Sequence, residues 1–130
     1  MSAENDLFAA CHEWRRLAEA EGEAIRTRNW TLCAACQNAL QKLRESMSEL
    51  LPAAQAEWLK LGGEQASQQL AYQELILELI GLTRRNQDWL QQVRETAQTK
   101  ALELNQSRIQ LKQLRRSYGG APVSGGYLFS

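Results

Sequence analysis

The sequence predicts an all-α fold, in which an antiparallel helical hairpin packs on one long C-terminal helix to form a coiled-coil-like bundle. Long stretches are rich in Ala, Leu, Glu, Gln and Arg, which are good helix formers. Helix-breaking residues are few, because the only prolines are Pro52 and Pro122 and glycine pairs stand at 62–63, 119–120 and 125–126. No run alternates apolar and polar residues for long enough to indicate a strand.

Length and composition indicate one folded domain. The chain has 130 residues, of which 44% are hydrophobic and 23% charged, so a packed core is expected and wholesale disorder is not. We predict a helical domain over residues 1–117 and a flexible C-terminal tail over 118–130.

Two amphipathic helices form the predicted hairpin. The first runs from Ala3 to Arg28, and Asn29 is the expected N-cap of the second, which Pro52 closes; a short helix then leads to the glycines at 62–63. Each helix carries a mostly apolar stripe whose residues recur at steps of three and four. On the first helix the stripe is Leu7, Cys11 (or Ala10), Trp14, Leu17, Glu21 and Ile25. On the second helix it is Leu32, Cys36, Leu40 (or Ala39), Leu43, Met47 and Leu50.

A third helix is predicted from Ser67 to Ser117, with a stripe that repeats about every 3.5 residues, as in a coiled coil. Fifty helical residues span roughly 75 Å, about twice the length of either hairpin helix. The hairpin therefore cannot cover the whole helix, and we expect the C-terminal half to expose a thin stripe. A break at Gly81, or a twofold partner on the stripe, are the alternatives.

Charge is balanced overall but not along the chain. Between Arg84 and Arg116 the net charge is +5, and residues 1–83 carry −5. This polarity either steers a partner or reflects solvated helix faces. It does not predict nucleic-acid binding, because neither a helix-turn-helix nor an aromatic platform accompanies it.

The pair Cys33 and Cys36, with Cys11-His12 upstream, has the residue types of a zinc site. In the predicted hairpin, however, Cys11 and Cys36 lie roughly 15 Å apart along the axis, too far to share a metal. We expect buried or half-buried structural thiols and no cofactor. No phosphate loop, carboxylate dyad or nucleophile elbow is present, so no enzyme is predicted.

The N-terminal residues contain neither a basic region nor an apolar run of signal length, and no stretch approaches the ~20 apolar residues of a membrane span. We expect a cytoplasmic protein without membrane insertion, whose cysteines are reduced.

Three segments together resemble the FlgN-type flagellar export chaperones, within the wider group of helical type III secretion chaperones. These are "EWRRLAEAEGEAIRTRN" in the first helix, "LTRRNQDWLQQV" in the middle of the last helix and "LRRSYGG" at its end. The matching residues are Leu82, Asn86, Leu90 and the pair Tyr118-Gly119; Gln87 and Asp88 depart from the family's usual pattern.

The resemblance implies a non-catalytic chaperone that binds the C-terminal helices of hook–filament junction proteins and delivers them to the type III export gate. Client binding is expected on the last helix, with Leu104, Leu111 and Leu114 as apolar anchors. Arg108, Arg115 and Arg116 would form the polar rim, and Tyr118 would contact the export machinery. The small residues Ala97 and Ala101 would let a client helix approach closely.

Two alternatives stay open at this point. A homodimeric coiled-coil adaptor would pair through the same helix. The tail, with Tyr127, Leu128 and Phe129, would either fold over the stripe when no client is bound or be a disordered terminus.

Overall fold

The computed structural model describes residues 2–61 and 65–119, and over these ranges it is a three-helix protein. The helices are α1 (Ala3–Arg26), α2 (Trp30–Leu61) and α3 (Gln65–Gly119). The all-α prediction is confirmed, as is the packing of α1 and α2 into an antiparallel hairpin against α3. The glycine pair at 62–63 and residues 120–130, which include most of the predicted tail, lie outside the described residues.

Both ends of α1 are fixed by local hydrogen bonds. The Ser2 side chain accepts from the Asn5 amide, which makes Ser2 the N-cap. At the other end the helix stops at Arg26, two residues earlier than predicted, because Arg28 adopts φ 57° and turns the chain. The Asn29 side chain then accepts from the Leu32 amide, so the predicted N-cap of the second helix is confirmed.

The predicted end of the second helix at Pro52 is wrong, because α2 continues through this residue to Leu61. The reason lies in the apolar stripe, which keeps its phase across the proline. Ala54 and Trp58 follow Leu40 and Met47 at helical spacing, and all four are buried. Burial of Trp58 against the other helices outweighs the one backbone hydrogen bond that Pro52 cannot make.

The chain divides into two units, Met1–Leu90 and Gln91–Ser130. The described residues of the first unit are called the bundle below, and residues 91–119 are called the distal segment. In the distal segment every described side chain from Arg94 to Tyr118 is exposed.

The core of the bundle is continuous across all three helices. Every position of the predicted α1 stripe is buried. On α2 the stripe is buried or half-buried except at its first position, Leu32, which is exposed. The core cluster itself consists of Leu7, Ala10, Cys11, Trp14, Leu17, Ala18, Leu40, Met47, Ala54, Trp58 and Leu79.

A carboxylate from α2 fastens the first turn of α1. Oε1 of Glu57 accepts from the Ala3 amide at 2.7 Å, and its Oε2 accepts from the Glu4 amide at 3.1 Å. These amides have no partner within α1, and a negative charge at a helix N-terminus is favourable. The contact fixes the register between the start of α1 and the end of α2.

No described helix contains an apolar stretch that is long enough to cross a bilayer.

Replacement of Pro52 by Ala should stabilise the protein by about 1–3 kcal/mol, because the continuous helix regains a backbone hydrogen bond. Urea unfolding followed by circular dichroism measures this change. The matched variant Ala56→Pro, at an exposed position of the same helix, should destabilise by about 3 kcal/mol. Equal stability of wild type and both variants would instead indicate a helix that restarts after residue 52.

Candidate protein-binding surface

The distal segment presents large apolar side chains to solvent. Leu104 is 61% exposed and Leu102 is 64% exposed. Ile109, Leu111, Leu114 and Tyr118 are also exposed. Apolar groups at this density on a helix are typical of a protein-binding surface.

Helical geometry places seven of the nine predicted site residues on one side of the distal segment, which is called the stripe below. They are Ala97, Ala101, Leu104, Arg108, Leu111, Arg115 and Tyr118, at steps of three and four. Leu114 and Arg116 lie one residue before and one residue after Arg115, so each is about 100° around the axis from the stripe, on opposite sides. Since Arg108 and Arg115 lie within the stripe, they are positioned to contact the same partner surface as the leucines.

A second apolar side of the distal segment was not predicted from the sequence. Leu102 and Ile109 are seven residues apart and so share a helix face, which lies roughly 120–140° around the axis from the stripe. A search for apolar pairs seven residues apart, outside the main stripe, would have found them.

The distal segment is also basic. It contains Arg94, Lys100, Arg108, Lys112, Arg115 and Arg116, against the acidic residues Glu95 and Glu103. A partner with acidic residues beside its apolar anchors would therefore associate faster, and this advantage would decrease with salt.

Two polar residues that interrupt the apolar stripes of the bundle contact each other. Nδ2 of Asn86 donates to Oε1 of Glu21 at 2.9 Å and to the carbonyl of Ala18 at 2.8 Å. Asn86 is 2% exposed and Glu21 7%. The sequence placed Glu21 on the stripe of the first helix, but it did not show that Asn86 is its partner.

This contact requires a glycine on α1. A Cβ at Gly22 would lie 2.9 Å from Oδ1 of Asn86, 2.9 Å from Nη2 of Arg85 and 3.1 Å from the ring of Trp89. The Trp89 ring lies between two guanidinium groups, with Arg85 4.4 Å and Arg26 4.9 Å from its centroid. Gly22 thus lets α3 approach the C-terminal part of α1 closely.

The three cysteines are buried and free. Burial raises the pKa of Cys33 and Cys36, and the nearby Glu21 carboxylate raises both further. Burial also raises the pKa of Cys11, against the opposing effect of Arg15. These thiols are therefore neutral at physiological pH, which is the state expected of structural cysteines and not of a reactive pair.

Among the described residues, no group of three or more His, Cys, Asp or Glu side chains is arranged to hold a metal ion.

Comparisons with known protein families, curated proteins and solved structures find no match for the chain.

The close approach at Gly22 predicts opposite effects for two Gly→Ala substitutions. Gly22→Ala should destabilise by about 1–2 kcal/mol, because overpacking against Asn86 and Trp89 exceeds the gain in helix propensity. Gly81 has nothing within 4 Å of an added Cβ, so Gly81→Ala should stabilise by about 0.5–1 kcal/mol. Urea unfolding measures the free energy of unfolding of both variants. Equal changes in the two variants would contradict the close contact at Gly22.

The raised pKa values predict a loss of stability at alkaline pH. Because the folded-state pKa of each thiol lies above its unfolded value, the contribution to stability is present in full below the unfolded pKa of about 8.5 and is lost as pH rises above it. The free energy of unfolding should therefore begin to fall at about pH 8.5 and continue to fall as the pH rises further. The fall should be shallower in the Cys33→Ala/Cys36→Ala variant; an identical pH dependence would show that these thiols do not contribute.

Proposed function

We propose that the chain is a cytoplasmic, non-catalytic flagellar export chaperone of the FlgN type. In this proposal it binds the C-terminal helical segments of hook–filament junction proteins and delivers them to the type III export gate. The observation that carries the proposal is the exposed stripe of the distal segment, where apolar and basic residues alternate on one helix face.

Client recognition would follow the helix-in-groove mode, in which an amphipathic helix inserts apolar residues every three or four positions. Leu104 and Leu111 are exposed on the stripe and Leu114 flanks it, so these are the proposed anchors. Ala97 and Ala101 would let the client backbone come close. Since the client segment would order on binding, part of the contact energy is spent on ordering, which keeps the complex reversible.

The basic side chains have a separate role in this scheme. Arg108 and Arg115 within the stripe, and Arg116 to one side of it, would pair with acidic residues of the client. Tyr118, exposed in the last turn of α3, is the proposed contact with the export gate component. The resemblance of the segments around Asn86 and Tyr118 to the FlgN-type chaperones supports this assignment.

The alternative is a homodimeric coiled-coil adaptor that pairs through the same stripe. The exposed leucines favour it as much as they favour a client. A tight dimer is disfavoured because three positions of the stripe, Ala97, Ala101 and Arg108, contribute little apolar area to a dimer interface. Sedimentation at low concentration separates the two proposals, since a chaperone should be monomeric and an adaptor dimeric.

The direct test is calorimetric titration of the purified chain with the C-terminal helical segment of a hook-associated protein from the same organism. Leu104→Ser combined with Leu111→Ser should weaken binding roughly a hundredfold, because two buried anchors are lost. The stability of the chain should not change, since both side chains are exposed in the free protein.

The control is Leu102→Ser combined with Ile109→Ser, which removes two leucine-sized residues at the same seven-residue spacing on the other face. It should leave the affinity within about twofold. Absence of binding by the wild-type chain would overturn the chaperone proposal. An equal loss in both double variants would overturn the assignment of the stripe.

A further inference from the structure

A cleft of about 350 Å³ opens in the bundle and is lined by all three helices. Glu21 and Asn86 line it, and both are more than nine-tenths buried. Gln37 and Gln41 of α2 and Gln87 of α3 add amide groups to its walls. The lining of the cleft is therefore about half polar and half apolar.

Glu21 has no positively charged partner among the described residues. One carboxylate oxygen accepts from Asn86, and the other accepts no hydrogen bond within this part of the chain. No Lys or Arg of the described residues lies within ion-pair distance of Glu21. A carboxylate held mostly away from water, with no cation in contact with it, is less stable than one in solution, and a cation that enters the cleft and contacts Glu21 would offset part of this cost.

The neighbouring arginines are engaged elsewhere. Nη2 of Arg44, which lines the cleft, donates to Oε1 of Gln41 at 3.2 Å, and the Arg44 guanidinium carbon lies 6.0 Å from the centroid of the Trp14 ring. Nη2 of Arg85 lies 3.3 Å from the Glu19 carboxylate, and it also donates to Oδ1 of Asn86 at 3.3 Å. Because Arg44 brings a positive charge to the same cleft, a ligand with a second cationic group would be repelled.

We propose that this cleft binds a single guanidinium or alkylammonium group, with Glu21 as its carboxylate partner. The Gln37 and Gln41 side-chain oxygens can accept further N–H bonds, and Ile25, Leu40 and Leu90 line the cleft beside the ligand's methylene stem. This cationic group belongs either to an Arg or Lys side chain of a protein or to a free small molecule. The proposal is independent of client binding to the stripe.

The test is an NMR titration of the full chain with ethylguanidinium, at constant ionic strength maintained with sodium chloride. Saturable shifts are expected at the cleft-lining residues, with a dissociation constant on the order of 1 mM. Spermidine, which carries several charges, should bind more weakly. The second arm uses a short alanine-rich helical peptide with one Arg, and the same peptide with Gln in its place. If the Arg peptide binds more tightly than ethylguanidinium, the cationic group belongs to a protein side chain. If ethylguanidinium binds more tightly, the group belongs to a free small molecule.

Glu21→Gln keeps an acceptor for Asn86 and removes the charge, so it should fold and should weaken ethylguanidinium binding at least about tenfold. The matched control is Glu49→Gln, an equal charge change at an exposed site of α2, and it should bind as the wild type does. Asn38→Trp retains Glu21 but fills the cleft from its α2 wall, and it should also abolish binding. Shifts that do not saturate, or equal affinity in wild type and Glu21→Gln, would overturn the proposal.

Discussion

The buried amide of Asn86 is the contact on which the arrangement of the bundle depends. It is the only buried polar residue of α3 among those described, and it bonds both a backbone carbonyl and a carboxylate of α1. A shift of α3 by one turn would leave the Asn86 Nδ2 group and the Glu21 carboxylate without each other beside an apolar core, at a cost of about 1–3 kcal/mol for each group. Apolar contacts along a heptad stripe tolerate such shifts more easily, so the polar contact selects one register.

The Trp89 ring and several charged side chains lie around the Asn86 amide. The Trp89 ring covers Gly22 and is itself covered by Arg26 and Arg85, while Arg85 also reaches the Glu19 carboxylate. The outer ion pairs are exposed and contribute little by themselves. Their placement matters more, because Arg26 and Arg85 hold the aromatic ring against Gly22 of α1. Two hydrogen bonds that the Glu57 carboxylate accepts from backbone amides fix the opposite end of α1, so both ends of this helix are set by polar groups from other helices.

Much of the fold could be predicted from the sequence, because it is recorded in local patterns. Stripe periodicity and the Asn29 cap identify α1, the turn and the start of α2 without tertiary information. The prediction at Pro52 was wrong because the strong local signal of a proline opposed the weaker signal of the apolar periodicity, and burial of Ala54 and Trp58 keeps the helix continuous.

The pairing of Glu21 with Asn86 joins residues 65 positions apart, and the cleft beside them is formed by three helices together. Neither leaves a local pattern. The stripe of the distal segment was predictable, whereas the face with Leu102 and Ile109 was missed because the main repeat does not include it.

The close packing at Gly22 also constrains how this sequence can evolve. An added Cβ at position 81 meets no atom within 4 Å, so this position can accept other good helix formers. Position 22 cannot gain a side chain unless the residues at 86 and 89 become smaller in the same lineage. Homologues should therefore keep Gly, Asn and Trp at these three positions together or replace them together. Such a linked set would identify relatives of this chain even where the rest of its helical surface has diverged beyond recognition.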